Sequence, residues 1–369
     1  MAAVAVAAAL IPQAALAHAR LLQSDPAPTA ILASVPAHVT LVFTEPVAPA
    51  GAGIKVYSPT GRQVAGDVIS RGAVVSAAID TTDAGTYVVL WQVYAADTHP
   101  SRGAFEFAVV HPSSNPFASL LHAPQAGTAT PLGLGLQAIA RLVHFAGFAL
   151  VFGVVAYGAL IRRAETFGRL VGVGVVLLVV AEPVALLGQL ASLSFDGDTA
   201  IAVLGSNFGR ILGLRLGAAL LAWTLVASER SWPVLAAGGA IAVLDGVGAH
   251  AIPALPVVGQ VLVAIHVGAM GLWVGGIAAF VASPSPRFGR YALVTFGVAA
   301  VSGLLLAFAH TGFGEALLTT DYGRALLLKV FIVSAAVLAA LVRRRRLELG
   351  LATAAIAGAG LVASLPPPV

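Results

Sequence analysis

The chain has no cysteine, which excludes disulfides, thiolate metal sites, iron–sulfur clusters and cysteine nucleophiles together. Any metal must rely on His, Asp, Glu, Met or backbone nitrogen, and methionine is almost as scarce as cysteine, Met1 and Met270 being the two present, so a soft ion such as Cu(I) finds few thioether ligands. Charge is scarce too. Asp, Glu, Lys and Arg make up 10% of the 369 residues, and a mean hydropathy of +0.94 is more than a soluble globular protein carries, so most of the chain belongs in a lipid bilayer. The formal charge of +4 does not point to nucleic acid. The arginines sit in short loops between apolar runs, where they act as an orientation signal, and no basic face is interleaved with aromatics.

Residues 1–17 form an apolar run too short to span a bilayer, closed by Ala15-Leu16-Ala17, the small-x-small pattern of a signal-peptidase site. Cleavage there makes His18 the new N-terminus. No Lys or Arg precedes the run, a departure from the usual export signal. Residues 18–110 change character: His38 to Phe43, Gly53 to Tyr57, Thr86 to Tyr94 and Gly103 to Val110 alternate apolar and polar residues. Between them stand turn formers such as Ser58-Pro59-Thr60-Gly61 and Asp83-Ala84-Gly85. Short strands at this spacing predict an antiparallel all-β sandwich or barrel. Residues 111–131 are rich in proline and lack periodicity, as a linker does, and His111 and His122 within it read as solvated.

From residue 132 to 369 apolar runs of membrane-crossing length recur, near 133–160, 168–192, 210–227, 233–250, 256–281, 290–311, 322–342 and 349–365, predicting an α-helical transmembrane bundle of about eight helices. With the β-domain exported, the loops alternate. Those carrying Arg162, Arg163 and Arg169, then Arg230, then Arg287 and Arg290, then Arg343 to Arg346 all fall inside, as the positive-inside rule requires. The stretch with Asp196 and Asp198 and the one with Asp321 fall outside.

Two groups of residues carry chemistry. In the β-domain, an N-terminal His18 offers an amine and an imidazole from one residue, a bidentate chelate suited to tetragonal Cu(II). Asp97 and His99, two apart, project to one side of an extended chain and add an oxygen and a nitrogen. On spacing alone, a turn-capping Asp beside a surface His is the simpler account of that pair. In the bundle, Arg141, His144, Glu182, Asp245, His250, His266, His310 and Lys329 are expensive at membrane depth, and such groups usually face the bundle interior and mark a pathway. The alternating topology puts nearly all of them in the outer half. His266 and Met270 share a helix face and pair a nitrogen with a sulfur. A His satisfied by a neighbour beside a gap-filling Met fits them as well. Glu182-Pro183 reads either as a cation or proton station or as a salt bridge to Lys329 or Arg141.

The β-domain resembles the CopC family of periplasmic copper-binding proteins. The resemblance is carried by His18-Ala19-Arg20-Leu21, Ser24-Asp25-Pro26-Ala27, Val39 through Val47 with Thr44-Glu45-Pro46, Gly85-Thr86-Tyr87 through Trp91, and Ala96-Asp97-Thr98-His99-Pro100 with Gly103-Ala104-Phe105. It implies a seven-stranded Greek-key sandwich that binds Cu(II) through His18, Asp97 and His99, with Glu45 a weaker candidate. Arg20 stands where many relatives carry a second His, and the Met-rich Cu(I) segment of some relatives is absent. The membrane half is similar to the CopD family through His266, Gly271-Leu272-Trp273-Val274-Gly275-Gly276, Arg287-Phe288, Ser302-Gly303, Thr320 through Arg324, and Lys329.

The resemblance implies a non-enzymatic copper protein of the bacterial inner membrane with its N-terminal domain in the periplasm. Such a protein moves copper across the membrane, usually described as uptake, and serves copper homeostasis or resistance. Copper ion and the lipid bilayer are its partners, with a periplasmic or cytoplasmic copper chaperone as a further one. Two other functions fit parts of the sequence: a haem-binding membrane redox protein using His144, His250, His266 and His310, and a passive envelope copper sink.

Overall fold

The computed structural model describes residues 19, 21–95, 100–122, 130–193, 195, 197–227, 230–249, 252, 255–365 and 367–368. They fall into two compact units, one within residues 18–132 and 189–210, the other within 133–188 and 211–369.

The first unit is a sandwich of two four-stranded sheets. One contains β1 (Leu21–Asp25), β3 (His38–Phe43), β6 (Val74–Ile79) and β5 (Ala65–Arg71), in the order β1-β3-β6-β5. The other contains β2 (Ile31–Leu32), β8 (Pro100–Val109), β7 (Gly85–Ala95) and β4 (Val47–Tyr57), in the order β2-β8-β7-β4. Eight strands replace the expected seven because the two-residue β2 pairs in parallel with β8. The alternation read in the sequence is the alternation of burial: Val39, Leu41 and Phe43 of β3 point into the core, as do Tyr87, Val89, Trp91 and Val93 of β7, which is the period of a strand with one face on a core. Rings fill that core. Phe43 meets Trp91 edge-on at 5.2 Å and Tyr87 stacks on Phe107 at 5.0 Å. The Tyr87 hydroxyl donates to the Asp83 carbonyl at 2.5 Å, and burial pushes its pKa above the usual phenol value.

The chain after β8 stays bound to the sandwich. Ser113 and Thr86 exchange two hydrogen bonds, 2.9 and 2.8 Å long. The buried Asn115 amide donates to the carbonyls of Tyr57, Ser58 and Thr86, and Phe117 stacks on Tyr57 at 4.0 Å.

The helices are α1 (Pro131–Leu160), α2 (Phe167–Ser192), α3 (Gly197–Gly205), α4 (Asn207–Ala227), α5 (Ser231–Val247), α6 (Pro256–Ala282), α7 (Phe288–Thr311), α8 (Asp321–Leu341) and α9 (Arg345–Ser364). Among the described residues seven are long and apolar enough to cross a membrane, and α5 is an apolar helix of 17 residues. The sequence places a loop where α3 stands. The short apolar segment Ala200 to Leu204 winds into a helix there and packs on β4, with Val203 fully buried.

In the second unit Phe148, Phe152, Tyr157, Leu178, Ile241 and Ile277 are buried, while Val173, Val176 and Val180 of α2 and Leu293, Val301 and Leu304 of α7 stay exposed. Apolar side chains facing outward along whole helices are what a lipid surround permits. A π-helical turn, Ala149–Gly153, interrupts α1 where it meets the Gly271 and Gly275 step of α6. A Cβ on Gly275 would run into the Ala149 carbonyl and the Gly153 backbone, so the two helices touch backbone to backbone, as small residues allow in membranes.

Candidate functional site

In the sandwich, the strand registers gather the chain positions that flank the expected ligands. β1 begins at Leu21 opposite Phe43, the last residue of β3. Thr44, Glu45 and Pro46 follow, and β4 opens with Val47 opposite Ala95, the last residue of β7. β7 and β8 close on the pair Tyr94 and Pro100. Ala19 is fully buried in the core. His18, Asp97 and His99 lie outside the described residues. Glu45 lies within them, partly buried and engaged with a partner.

The second unit holds a buried ionic cluster drawn from four helices. His144 of α1 stands between two carboxylates, Nδ1 at 3.2 Å from Glu182 Oε1 of α2 and Nε2 at 3.0 Å from Asp245 Oδ2 of α5. Arg215 of α4 closes the ring, Nη2 at 3.3 Å from Glu182 Oε2 and Nη1 at 3.0 Å from Asp245 Oδ1. Carboxylates only accept, so both imidazole nitrogens donate when both contacts form. His144, Glu182 and Asp245 are between 2% and 8% exposed, and charges this deep persist only when paired on several sides. The sequence reading offered Lys329 or Arg141 as the partner of Glu182. The structure gives it His144 and Arg215 instead, because the facing sides of α1, α2 and α4 converge there.

A second polar group joins α6, α7 and α8. His266 Nδ1 lies 2.9 Å from the Ala299 carbonyl and 3.3 Å from Ser302 Oγ, and Lys329 Nζ is 3.3 Å from His266 Nε2. Met270, one turn further along α6, is buried in the main core. A third group pairs His310 Nδ1 with the Tyr322 hydroxyl at 3.2 Å, leaving His310 Nε2 buried without a hydrogen-bond partner. His250 lies outside the described residues. Among the described residues no group of three or more His, Asp or Glu side chains is arranged to hold a metal ion; His144, Glu182 and Asp245 gather as an ion-pair cluster with Arg215.

The family comparisons divide the chain in the same two parts. The model for the CopC domain matches residues 21–110, and that for copper resistance protein D matches residues 282–365. Over 116 residues the chain is 35% identical to copper resistance protein C of Xanthomonas campestris pv. juglandis, covering 29% of this chain and 91% of that protein. The chain belongs to the CopC/CopD copper-resistance family. It is also 25% identical over 360 residues to copper transport protein CutJ of Bacillus subtilis (strain 168), an alignment covering 86% of this chain and spanning 66% of that relative's length. Among solved structures, that of CopC from Methylosinus trichosporium OB3b is 28% identical, covering 27% of this chain and 98% of that one with a TM-score of 0.24. The CopD match takes in all of α7, α8 and α9, and so contains Ser302, His310 and Lys329. His144, Glu182, Arg215 and Asp245 lie in the helices before it.

Proposed function

We propose that the CopC domain captures Cu(II) outside the cell membrane through His18, Asp97 and His99, with Glu45 beside them, and that the bundle carries copper inward across the bacterial inner membrane. The single observation that supports transport over a passive sink is the buried polar content of the bundle. An anchor needs no buried His144–Glu182–Asp245–Arg215 cluster and no part-buried His266–Lys329 contact, and intramembrane ionisable groups mark pathways. Support for the Cu(II) site comes from the registers that bring the flanks of residues 18, 45 and 97–99 to one end of the sandwich.

His144, Glu182, Asp245, His266, Met270, His310 and Lys329 form the candidate path, and the sequence adds His250 to it. The relative from Bacillus subtilis bears the name of a copper transport protein, which agrees with this reading. The chain has no enzymatic role in it, and copper is cargo that passes to a chaperone.

The test is cellular copper content at low external copper in a host expressing wild type, His18→Ala/His99→Ala, or His266→Ala. A rise with wild type that both variants abolish is the expected result. Unchanged or falling content with improved tolerance would mean a sink or an exporter.

A further inference from the structure

Lys329 is one of two lysines in the chain, Lys55 being the other. It stands inside α8, a span of hydropathy 2.2, and among the described residues no carboxylate forms an ion pair with it. Its partner is an imidazole, His266 Nε2 at 3.3 Å. An ammonium at membrane depth ordinarily has a counter-charge, and a single lone pair is a weak substitute.

His266 is held so as to offer that lone pair. The Ser302 hydroxyl donates to the Val298 carbonyl at 2.6 Å, so Ser302 Oγ and the Ala299 carbonyl both face His266 Nδ1 as acceptors. The ring proton therefore sits on Nδ1 and Nε2 is bare. The ring is also pinned: a Cβ on Gly303 would come within 2.7 Å of His266 Cε1, so the α7 backbone lies directly against it. The lysine is the movable partner, a compact cation on a flexible four-carbon stem packed beside Gly358 of α9.

We propose that Lys329 is a tethered stand-in for the transported ion: its ammonium occupies His266 Nε2 while the path is empty, and an arriving copper ion takes the nitrogen and displaces the ammonium toward the membrane surface. This rests on the bundle being the copper path. The ammonium keeps its protons and the only new bond is copper to nitrogen, so the step needs no oxidant, reductant or base. Two consequences follow from the chemistry. Hard ions such as Na⁺, K⁺ and Mg²⁺ prefer oxygen and do not displace the ammonium from an imidazole, whereas copper does. Met270, four residues after His266, offers a thioether to the ion that arrives. Lys329 lies about 12 Å along α8 from Asp321 at 1.5 Å per residue, so an extended stem carries the displaced charge toward that interface.

Having only two lysines makes the test direct. Full-length protein carrying His18→Ala and His99→Ala, in lipid nanodiscs, is treated with an amine-acylating reagent without copper and with copper, supplied in separate runs as Cu(I) and Cu(II) held by a competing chelator. Each lysine is then read by peptide mass. Acylation of Lys329 is expected to rise severalfold with copper while Lys55, exposed on β4, stays constant. Adding His266→Ala is expected to abolish copper retention and the copper-dependent change. Copper retained through His266 with Lys329 reactivity unchanged overturns the stand-in and leaves the path intact. Retention that is absent in both runs, or undiminished by His266→Ala, overturns the path and the stand-in together. In the same background Lys329→Met is expected to bind copper about tenfold more tightly, the factor released when a competitor filling the site nine-tenths of the time is removed, and Lys329→Arg no more tightly than lysine. Equal tightening by both variants overturns competition by charge.

Discussion

Arg215 is the residue that lets two carboxylates lie buried on either side of one imidazole. Its guanidinium reaches Glu182 at 3.3 Å and Asp245 at 3.0 Å, so removing it leaves two acidic groups with His144 alone between them. Breaking a buried pair from one side costs about 3–5 kcal/mol. Arg215→Met is therefore expected to lower the thermal midpoint of the purified protein, and Asp245→Asn in the same molecule to recover part of the loss by removing the charge left behind. An unchanged midpoint for Arg215→Met would mean that the cluster is not a clamp. Glu182, His144 and Asp245 are each legible as expensive intramembrane residues because a single charge in an apolar run is conspicuous. Arg215 is not, since it lies in the least apolar of the seven spans, at hydropathy 1.4, a few residues after Arg210 and between Gly213 and Gly217, where it reads as part of a helix entry. The pairing of Glu182 with Arg215 is a matter of how helices rotate against one another, which residue spacing along one helix does not encode.

Among elements, the long helices and the strands with strict alternation are the legible ones, because thirty apolar residues or a Val39-Leu41-Phe43 pattern have few other folds. The ends of β4, β7 and β8, the short β2, and α3 are set by pairing and packing instead. β2 exists because two residues find an open edge on β8, and α3 because Val203 finds cover on β4. The contact of α1 with α6 was half legible: Gly271 and Gly275 announce a close approach, but the π-helical turn of α1 that receives them does not show in sequence. The approach itself is testable. Gly275→Leu must push α1 and α6 apart, and overpacking of a tight core typically costs about 1–3 kcal/mol or more, so a lower yield of folded protein and a lower midpoint are expected. Gly268→Ala, about two turns away with open space around it, is expected to leave both unchanged. Equal tolerance of the two would show that the glycine step is not a packing contact.

The orientation of the whole chain turns on α5. At 17 residues it rises about 25 Å, somewhat short of the roughly 30 Å hydrocarbon core. If it crosses, a CopC domain on the outer side, as proposed above, puts the loops bearing Arg162 and Arg163, Arg230, Arg287, and Arg343 and Arg344 all on the inner side. If it does not, every loop after it changes sides, and Arg287, Arg343 and Arg344 face outward against the positive-inside rule. A second reason favours crossing: Asp245, near the end of α5, is buried against His144 and Arg215, and a helix resting on the membrane surface has no neighbours on that face to provide such partners. The absence of native cysteine makes the question simple to put. Single cysteines at Ser285, between α6 and α7, and at Glu315, between α7 and α8, are exposed to a membrane-impermeant maleimide in intact cells. Labelling at Glu315→Cys and protection at Ser285→Cys until the membrane is opened is the outcome expected for eight crossings. The reverse pattern would mean seven, and would place His266 and Lys329 nearer the cytoplasmic face, so that copper entering from the CopC side would meet the His144 cluster before the His266–Lys329 contact.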